Sequence, residues 1–180
     1  MFTAAMLMIA SAAPGAPAAD DLRALLTAPT RHVRTLSPVL RRIVELGVLG
    51  SPTFARLLAD LDHTDVIVQI VATQNLRQSV AAQVVLVPRP RTVRFIRIQV
   101  RPEGADSDLA ALVAHELHHA LEIAASPDVR DDHALSRLYQ RIGVGEGHED
   151  EYETLAARET GRQVLRELAD RTAQRTLRTR

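Results

Sequence analysis

The chain has 180 residues, enough for one domain with a sizeable core, and its 46% hydrophobic and 24% charged content is that of a globular protein. A formal net charge of +0 and an aromatic content of 3%, with no Trp, exclude a broad electrostatic grip on nucleic acid or anionic membranes and a base-stacking platform. There is no Cys, so disulfides, thiolate catalysis and Cys-ligated metals are excluded, and any metal is held by His and carboxylates.

The N-terminus is an apolar run, Phe2 to Ala13, followed by Pro14-Gly15-Ala16-Pro17-Ala18-Ala19-Asp20. A short apolar stretch ending in small residues reads as a secretory signal cleaved near Ala18 or Ala19, although the usual positive start is missing. It is too short for a comfortable membrane span. Residues 1–19 are therefore expected to be a signal peptide and 20–180 a single domain. The expected location is exported, periplasmic or extracellular, with membrane association only through an uncleaved N-terminus.

Ser37-Pro38 and Ser51-Pro52 each place a capping hydroxyl before a proline at the first helical position. The first helix should run from Pro38 to about Leu46 and stop at Gly47 or Gly50. The second should bury Phe54, Leu57, Leu58 and Leu61 on one face. Three strands are expected at Val66–Ala72, Val84–Val87 and Thr92–Val100, and their short connections favour a mostly antiparallel sheet. In the third, Val93 and Phe95 alternate with Arg94, whereas the apolar set then continues as Ile96, Ile98 and Val100. That change of phase suggests a bulge at a sheet edge, where Arg94 and Arg97 would flank an extended peptide paired with the strand.

Asp106-Ser107-Asp108 should cap a helix from about Leu109 to Ala124, ended by Ser126-Pro127. A further helix is expected over Asp131–Arg141, with Asp131-Asp132 as its cap. The glycine loop Gly143–Gly147 precedes a last helix from Asp150 to about Asp170, beyond which the Arg-rich end should fray. No internal repeat is visible. The fold class is α+β.

The expected third helix carries His115-Glu116-Leu117-His118-His119. His115 and His119 are four apart, so both imidazoles project from one face and can reach one tetrahedral ion. Glu116 lies beside the first ligand, where its carboxylate can act as general base toward water activated by that ion. With 7 His in the chain, a chance His-Glu-x-x-His has odds on the order of one in a hundred. A glutamate in a largely apolar helix also needs a partner or a function. The bland alternative is a His-rich helix whose polar face meets solvent.

Leu112 to Leu121 resembles the active-site helix of the zincin metallopeptidases. The metzincin pattern is absent, because position 122 is Glu instead of Gly and position 125 is Ala instead of His. The gluzincin pattern, in which a Glu from a later helix is the third ligand, is the one left open. Tyr152-Glu153-Thr154-Leu155-Ala156-Ala157 is similar to that later segment in small bacterial gluzincin-like proteins. The resemblance covers roughly residues 66–168, mostly in layout only. It implies a single zincin-like domain that binds one Zn2+ through His115, His119 and Glu153 and hydrolyses peptide bonds with Glu116 as base.

Small Ala156 and Ala157 beside Glu153 would let two helices approach closely. Glu149, Glu146, His148 and Glu122 compete with Glu153 as ligand, although Glu122 better suits orienting a zinc His. The larger gluzincins often have an acidic residue four beyond the ligand Glu. Position 157 is Ala, which leaves Glu149, Asp150 and Glu122 for that role. Tyr139, Tyr152 and His148 are candidates for stabilising a tetrahedral oxyanion. His118 points away from the pair, and His32, His63 and His133 read as surface residues. The expected partner is a peptide or protein substrate, not nucleic acid. A metal-binding module without turnover, acting as sensor or interaction protein, is the competing reading, followed by a metal-free structural protein.

Overall fold

A computed structural model of the chain describes residues 32–76, 80–87, 93–144 and 153–178. In chain order the elements are β1 (Val33–Thr35), α1 (Pro38–Gly50), α2 (Pro52–Asp62), β2 (Val66–Ala72), β3 (Ala82–Val87), β4 (Arg94–Val100), α3 (Asp106–Ala124), α4 (Asp132–Ile142) and α5 (Leu155–Arg178). They form one small mixed α+β domain. The candidate signal segment lies outside the described residues, and among these no helix is long and apolar enough to cross a membrane.

The first two helices begin as the sequence dictates. The Ser37 hydroxyl accepts from the Leu40 N–H at 3.4 Å and the Ser51 hydroxyl from the Phe54 N–H at 3.0 Å, each with Pro next in the chain. Helix α1 passes through Gly47 and stops at Gly50. A Cβ on Gly47 would lie 2.5 Å from the Phe54 ring, so that glycine is where α2 packs tightly onto α1. Asp131 caps α4 by accepting from the Ala134 N–H at 2.7 Å.

The expectation of a mostly antiparallel sheet is wrong. The order is β1-β2-β4-β3, in which β1 and β2 run parallel, β2 and β4 run parallel, and only β3 and β4 are antiparallel. Short connections do make β2, β3 and β4 alternate in direction. Strand β4, however, folds back between the other two, so β2 never meets β3. The unexpected short strand β1, joined to β2 through two helices, adds the second parallel pair.

The phase change in β4 is not a bulge, and β4 is not an edge. Its register is continuous with both neighbours, from Val66↔Arg94 to Ala72↔Val100 on one side and Ala82↔Val100 to Val87↔Phe95 on the other. Arg94 sits on the buried face in phase with Ile96, Ile98 and Val100. The strand tolerates a core-facing Arg because its guanidinium reaches past the sheet to the end of α3. Arg94 makes a bidentate pair with Asp65 at 2.5 and 2.9 Å. It also donates to the carbonyls of Ile123, Ala124 and Ser126 at 2.6, 3.0 and 2.8 Å. Those of Ile123 and Ala124 are in the last turn of α3 and that of Ser126 just beyond it, where a cation is most favourable.

One sheet face, built from Val66, Val68, Ile70, Ile96, Ile98 and Val100, packs under the helices to form the core. Helix α3 is buried nearly all round, between that sheet and α5. It begins at Asp106, three residues earlier than expected. Its N-cap is Ala105, which has no capping side chain; Asp106 and Asp108 instead lie in the first turn, where the helix dipole favours them. Gly104 precedes it at φ 101°, a turn geometry open mainly to glycine. Helix α5 runs on to Arg178 without the expected fraying, since residues 171–178 contain no Gly or Pro and end on a basic residue that suits a helix C-terminus.

Candidate metal centre

The middle of α3 carries the site. His115 and His119 turn the same way from successive turns, and their Nε2 atoms face each other at 3.1 Å. Two ligands of a tetrahedral zinc at ordinary bond lengths lie roughly 3.3 Å apart, so the pair is already at coordination spacing. Glu153 comes in from the residue pair before α5. Its Oε1 is 3.5 Å from His115 Nε2, and one ligand atom from each of the three residues lies within 4.8 Å of the others. Among the described residues this is the only such convergence of His and carboxylates.

Glu122 Oε2 takes the Nδ1–H of His119 at 2.7 Å, which fixes the ring with Nε2 turned toward His115. Burial, and then the neighbouring His119, push the His115 pKa below its ordinary value, so its ring is neutral at neutral pH. The two Nε2 atoms, 3.1 Å apart, either share one N–H between them or face a common cation. The donor set, two imidazoles and a carboxylate, fits a divalent ion of zinc type and leaves one coordination position open.

Glu116, only 6% exposed, lines the same cleft as the two His rings. Burial raises its carboxyl to about 7, against the attraction of His119. Glu122 behaves oppositely. Burial would raise it, but hydrogen bonds from His119 and from the Thr154 hydroxyl at 2.7 Å outweigh that and hold it below the usual range.

The cleft has a volume of about 430 Å³. Its floor is the face of α3 that carries Leu112, His115, Glu116 and His119. One wall is the strand β3, represented by Ala82, Gln83 and Val84, and the opposite side is built from Leu135 and Tyr139 of α4. Strand β3 ends the sheet order and lines the cleft through Ala82, Gln83 and Val84. The edge beside the site is thus β3, not the β4 expected from sequence, and Arg94 cannot flank a peptide because it faces the core. Arg158 completes the rim, its Nε 3.3 Å from the second oxygen of Glu153.

Several other expected residues can be placed. Tyr139 is buried edge-on against the His119 ring, with 5.4 Å between centroids, and so is part of the core as well as of the cleft wall. His118 turns from the pair, as expected, and its Nδ1 meets the Thr160 hydroxyl of α5 at 2.9 Å. His63 and His133 are exposed, but His32 is half-buried, with a buried Nδ1 that has no partner among the described residues. Glu146, His148, Glu149, Asp150 and Tyr152 lie outside the described residues.

Sequence reasoning missed three participants. Thr154, 3% exposed, caps α5 by accepting from the Ala157 N–H at 3.1 Å while bonding Glu122. A Thr just before a helix was the available signal. Arg158 had none. The close approach of α5 to α3 was assigned to Ala156 and Ala157, yet Ala156 is exposed. The contact is made by Ala157 and, one turn on, Gly161, where a Cβ would stand 3.2 Å from the Ala111 carbonyl and 3.5 Å from His115 Cβ.

No family model matches the chain, and no curated protein or solved structure matches it either.

Proposed function

We propose that the protein is a zinc-dependent peptidase of the gluzincin type, binding one ion through His115, His119 and Glu153. The observation that supports this most is the convergence of those three ligand atoms, two from α3 and one from the residue pair before α5, beside a buried Glu116 that has no hydrogen-bond partner among the described residues. A zinc ion held there supplies Lewis acidity, making water acidic near neutrality and polarising a carbonyl.

The remaining work falls to the chain. An extended peptide pairs with the outer edge of β3, which lays its scissile bond along the cleft above α3. The Glu116 carboxylate takes a proton from the attacking water and passes it to the leaving amine nitrogen. A carboxylate beside the bound water, buried in the cleft floor, is placed for both transfers. Glu122 keeps the His119 ring in one orientation throughout. Tyr139 and Arg158 border the space where negative charge develops on the carbonyl oxygen. Export, through a segment cleaved near Ala18 or Ala19, is proposed on composition alone; the intact mass of the mature protein checks it.

The test is Glu116→Gln. The variant should keep stoichiometric zinc and its fold but hydrolyse a peptide library about 10² to 10⁴ times more slowly. Equal turnover by the variant would remove Glu116 from the chemistry. Zinc bound by wild-type protein without any hydrolysis would favour the sensor or interaction module.

A further inference from the structure

The two halves of the candidate metal centre come from different helices, and the contacts between them converge on one buried residue. Thr154 touches both flanking carboxylates. Its backbone N–H donates to Glu153 Oε1 at 2.9 Å, and its hydroxyl lies 2.7 Å from Glu122 Oε1. The same hydroxyl oxygen accepts from the Ala157 N–H at 3.1 Å, closing the first turn of α5.

The direction of every hydrogen in this chain is fixed. A hydroxyl has one hydrogen, and an ionised carboxylate can only accept. Thr154 therefore donates to Glu122 and uses a lone pair for Ala157. Glu122, with one oxygen occupied by Thr154, takes the His119 Nδ1–H on the other at 2.7 Å. The result is a continuous path from the start of α5 to the ring that presents Nε2 to the ion. His118 Nε2 is 3.8 Å from the same Glu122 oxygen, too far for a hydrogen bond, so Thr154 supplies the bond that fills it.

We propose that Thr154 is a positioning residue that locks the two helices at coordination spacing, its hydroxyl aligning His119 through Glu122 while its backbone holds Glu153. The inference rests on the metal-site reading above. It adds that ligand geometry depends on a side chain that never touches the ion. It also explains how the site manages with Ala at position 157: the orienting carboxylate comes from α3 itself, and α5 contributes the hydroxyl that fixes it.

The experiment is Zn2+ affinity, measured by chelator competition on metal-free full-length protein, alongside urea unfolding of the same metal-free samples. Thr154→Val keeps the shape but removes the hydroxyl and should weaken zinc about 10- to 100-fold. Thr154→Ser should restore affinity to within a few-fold. Glu122→Gln, which leaves the α5 cap untouched, should weaken zinc by a similar factor. The double variant should be no weaker than the weaker single one, because both act through one path. If Thr154→Val lowers metal-free stability but binds zinc like wild type, Thr154 is only a helix cap and the proposal is overturned. Should that variant fail to fold, Glu122→Gln decides alone, and unchanged affinity there overturns the proposal equally. Wild-type protein that binds no zinc would overturn the metal-site reading itself and this inference with it.

Discussion

Arg94 and Glu116 are the two residues with formal charges that the core hides most completely, at 4% and 6% exposure, and the structure treats them in opposite ways. Arg94 is saturated: a bidentate carboxylate and four carbonyls, of Ile123 and Ala124 in the last turn of α3 and of Ser126 and Val129 beyond it, take up its donors. Glu116 has no hydrogen-bond partner among the described residues; burial dominates its environment, and only the nearby His119 helps to hold its charge. Burying an ionisable group without partners is costly, and a fold that satisfies one such group fully has no packing reason to leave another unsatisfied half a helix away. The saturated charge holds α3 in place; the bare one belongs to the cleft. The difference is what supports reading Arg94 as structural and proposing Glu116 for chemistry.

Breaking the saturated side should have the largest effect on stability. Arg94→Met leaves the half-exposed Asp65 unpaired and the buried carbonyls around the end of α3 without their donor, a loss of about 3 kcal/mol. For a chain of this size that lowers Tm by roughly 10 °C, readable by calorimetry. A change below about 1 kcal/mol would mean that those contacts do not hold the helix.

The next effect sharpens the comparison through pH. In metal-free protein, the rise of Glu116 to about 7 means that the folded state keeps a proton the unfolded chain has lost. The stability it contributes is fully present below the ordinary carboxylate pKa and is lost as pH rises through about 7. That loss amounts to roughly 3 kcal/mol. Glu116→Gln should abolish this slope and exceed wild type in stability at pH 8. Asp65 has the opposite sign. Its hydrogen bond to Arg94 lowers its pKa, so its contribution is present at neutral pH and is lost as pH falls through the acid range. Urea titrations between pH 3 and 8 on wild type, Glu116→Gln and Arg94→Met separate the two limbs. Burial lowers His115 and His118 and gives them the opposite slope near pH 6, so the difference between wild type and Glu116→Gln is the readout. Identical slopes for these two proteins from pH 5 to 8 would contradict the buried carboxylate.

A smaller effect is expected where α5 docks on α2. Glu167 accepts from the Thr53 N–H at 3.1 Å and from the Thr53 hydroxyl at 2.7 Å, and it bonds the Ser51 hydroxyl. It thus caps α2 from another helix. Glu167→Ala should cost about 1–2 kcal/mol in urea unfolding and leave zinc affinity unchanged. Weakened zinc binding would show that the far end of α5 also sets the site.

What the sequence made legible follows from how local each signal is. Capping serines before proline, the i to i+4 histidines and the Asp131 cap are settled within one turn, and they fold as read. The approach of Glu153 to the pair was readable only as a family resemblance, because nothing local links residues 38 apart in the chain. Sheet order was misread because strand direction follows from connection length, whereas neighbours depend on which strand slides between the others. Arg94 was misread for a related reason: alternation assigns a charged residue to solvent unless its partner is known, and the partners here are carbonyls some 30 residues away. Thr154 and Gly161 act only across the contact between α3 and α5, so their roles come into view when both helices are placed.

The smallest and most discriminating change lies at that contact. Gly161 sits inside α5, where alanine would add up to about 1 kcal/mol of helix propensity. The new Cβ would also meet the Ala111 carbonyl at 3.2 Å and His115 Cβ at 3.5 Å, so α5 must retreat from α3 by a few tenths of an ångström. The gain and the strain are of similar size, and metal-free stability should change by less than about 1 kcal/mol. Coordination tolerates displacement far less than packing does. The retreat would move Glu153 away from His115, one of the two rings it must approach, and should weaken zinc several-fold while the fold hardly responds. Chelator competition on Gly161→Ala reads this directly. Wild-type affinity in a variant of unchanged stability would show that the spacing between α3 and α5 is not what sets the centre.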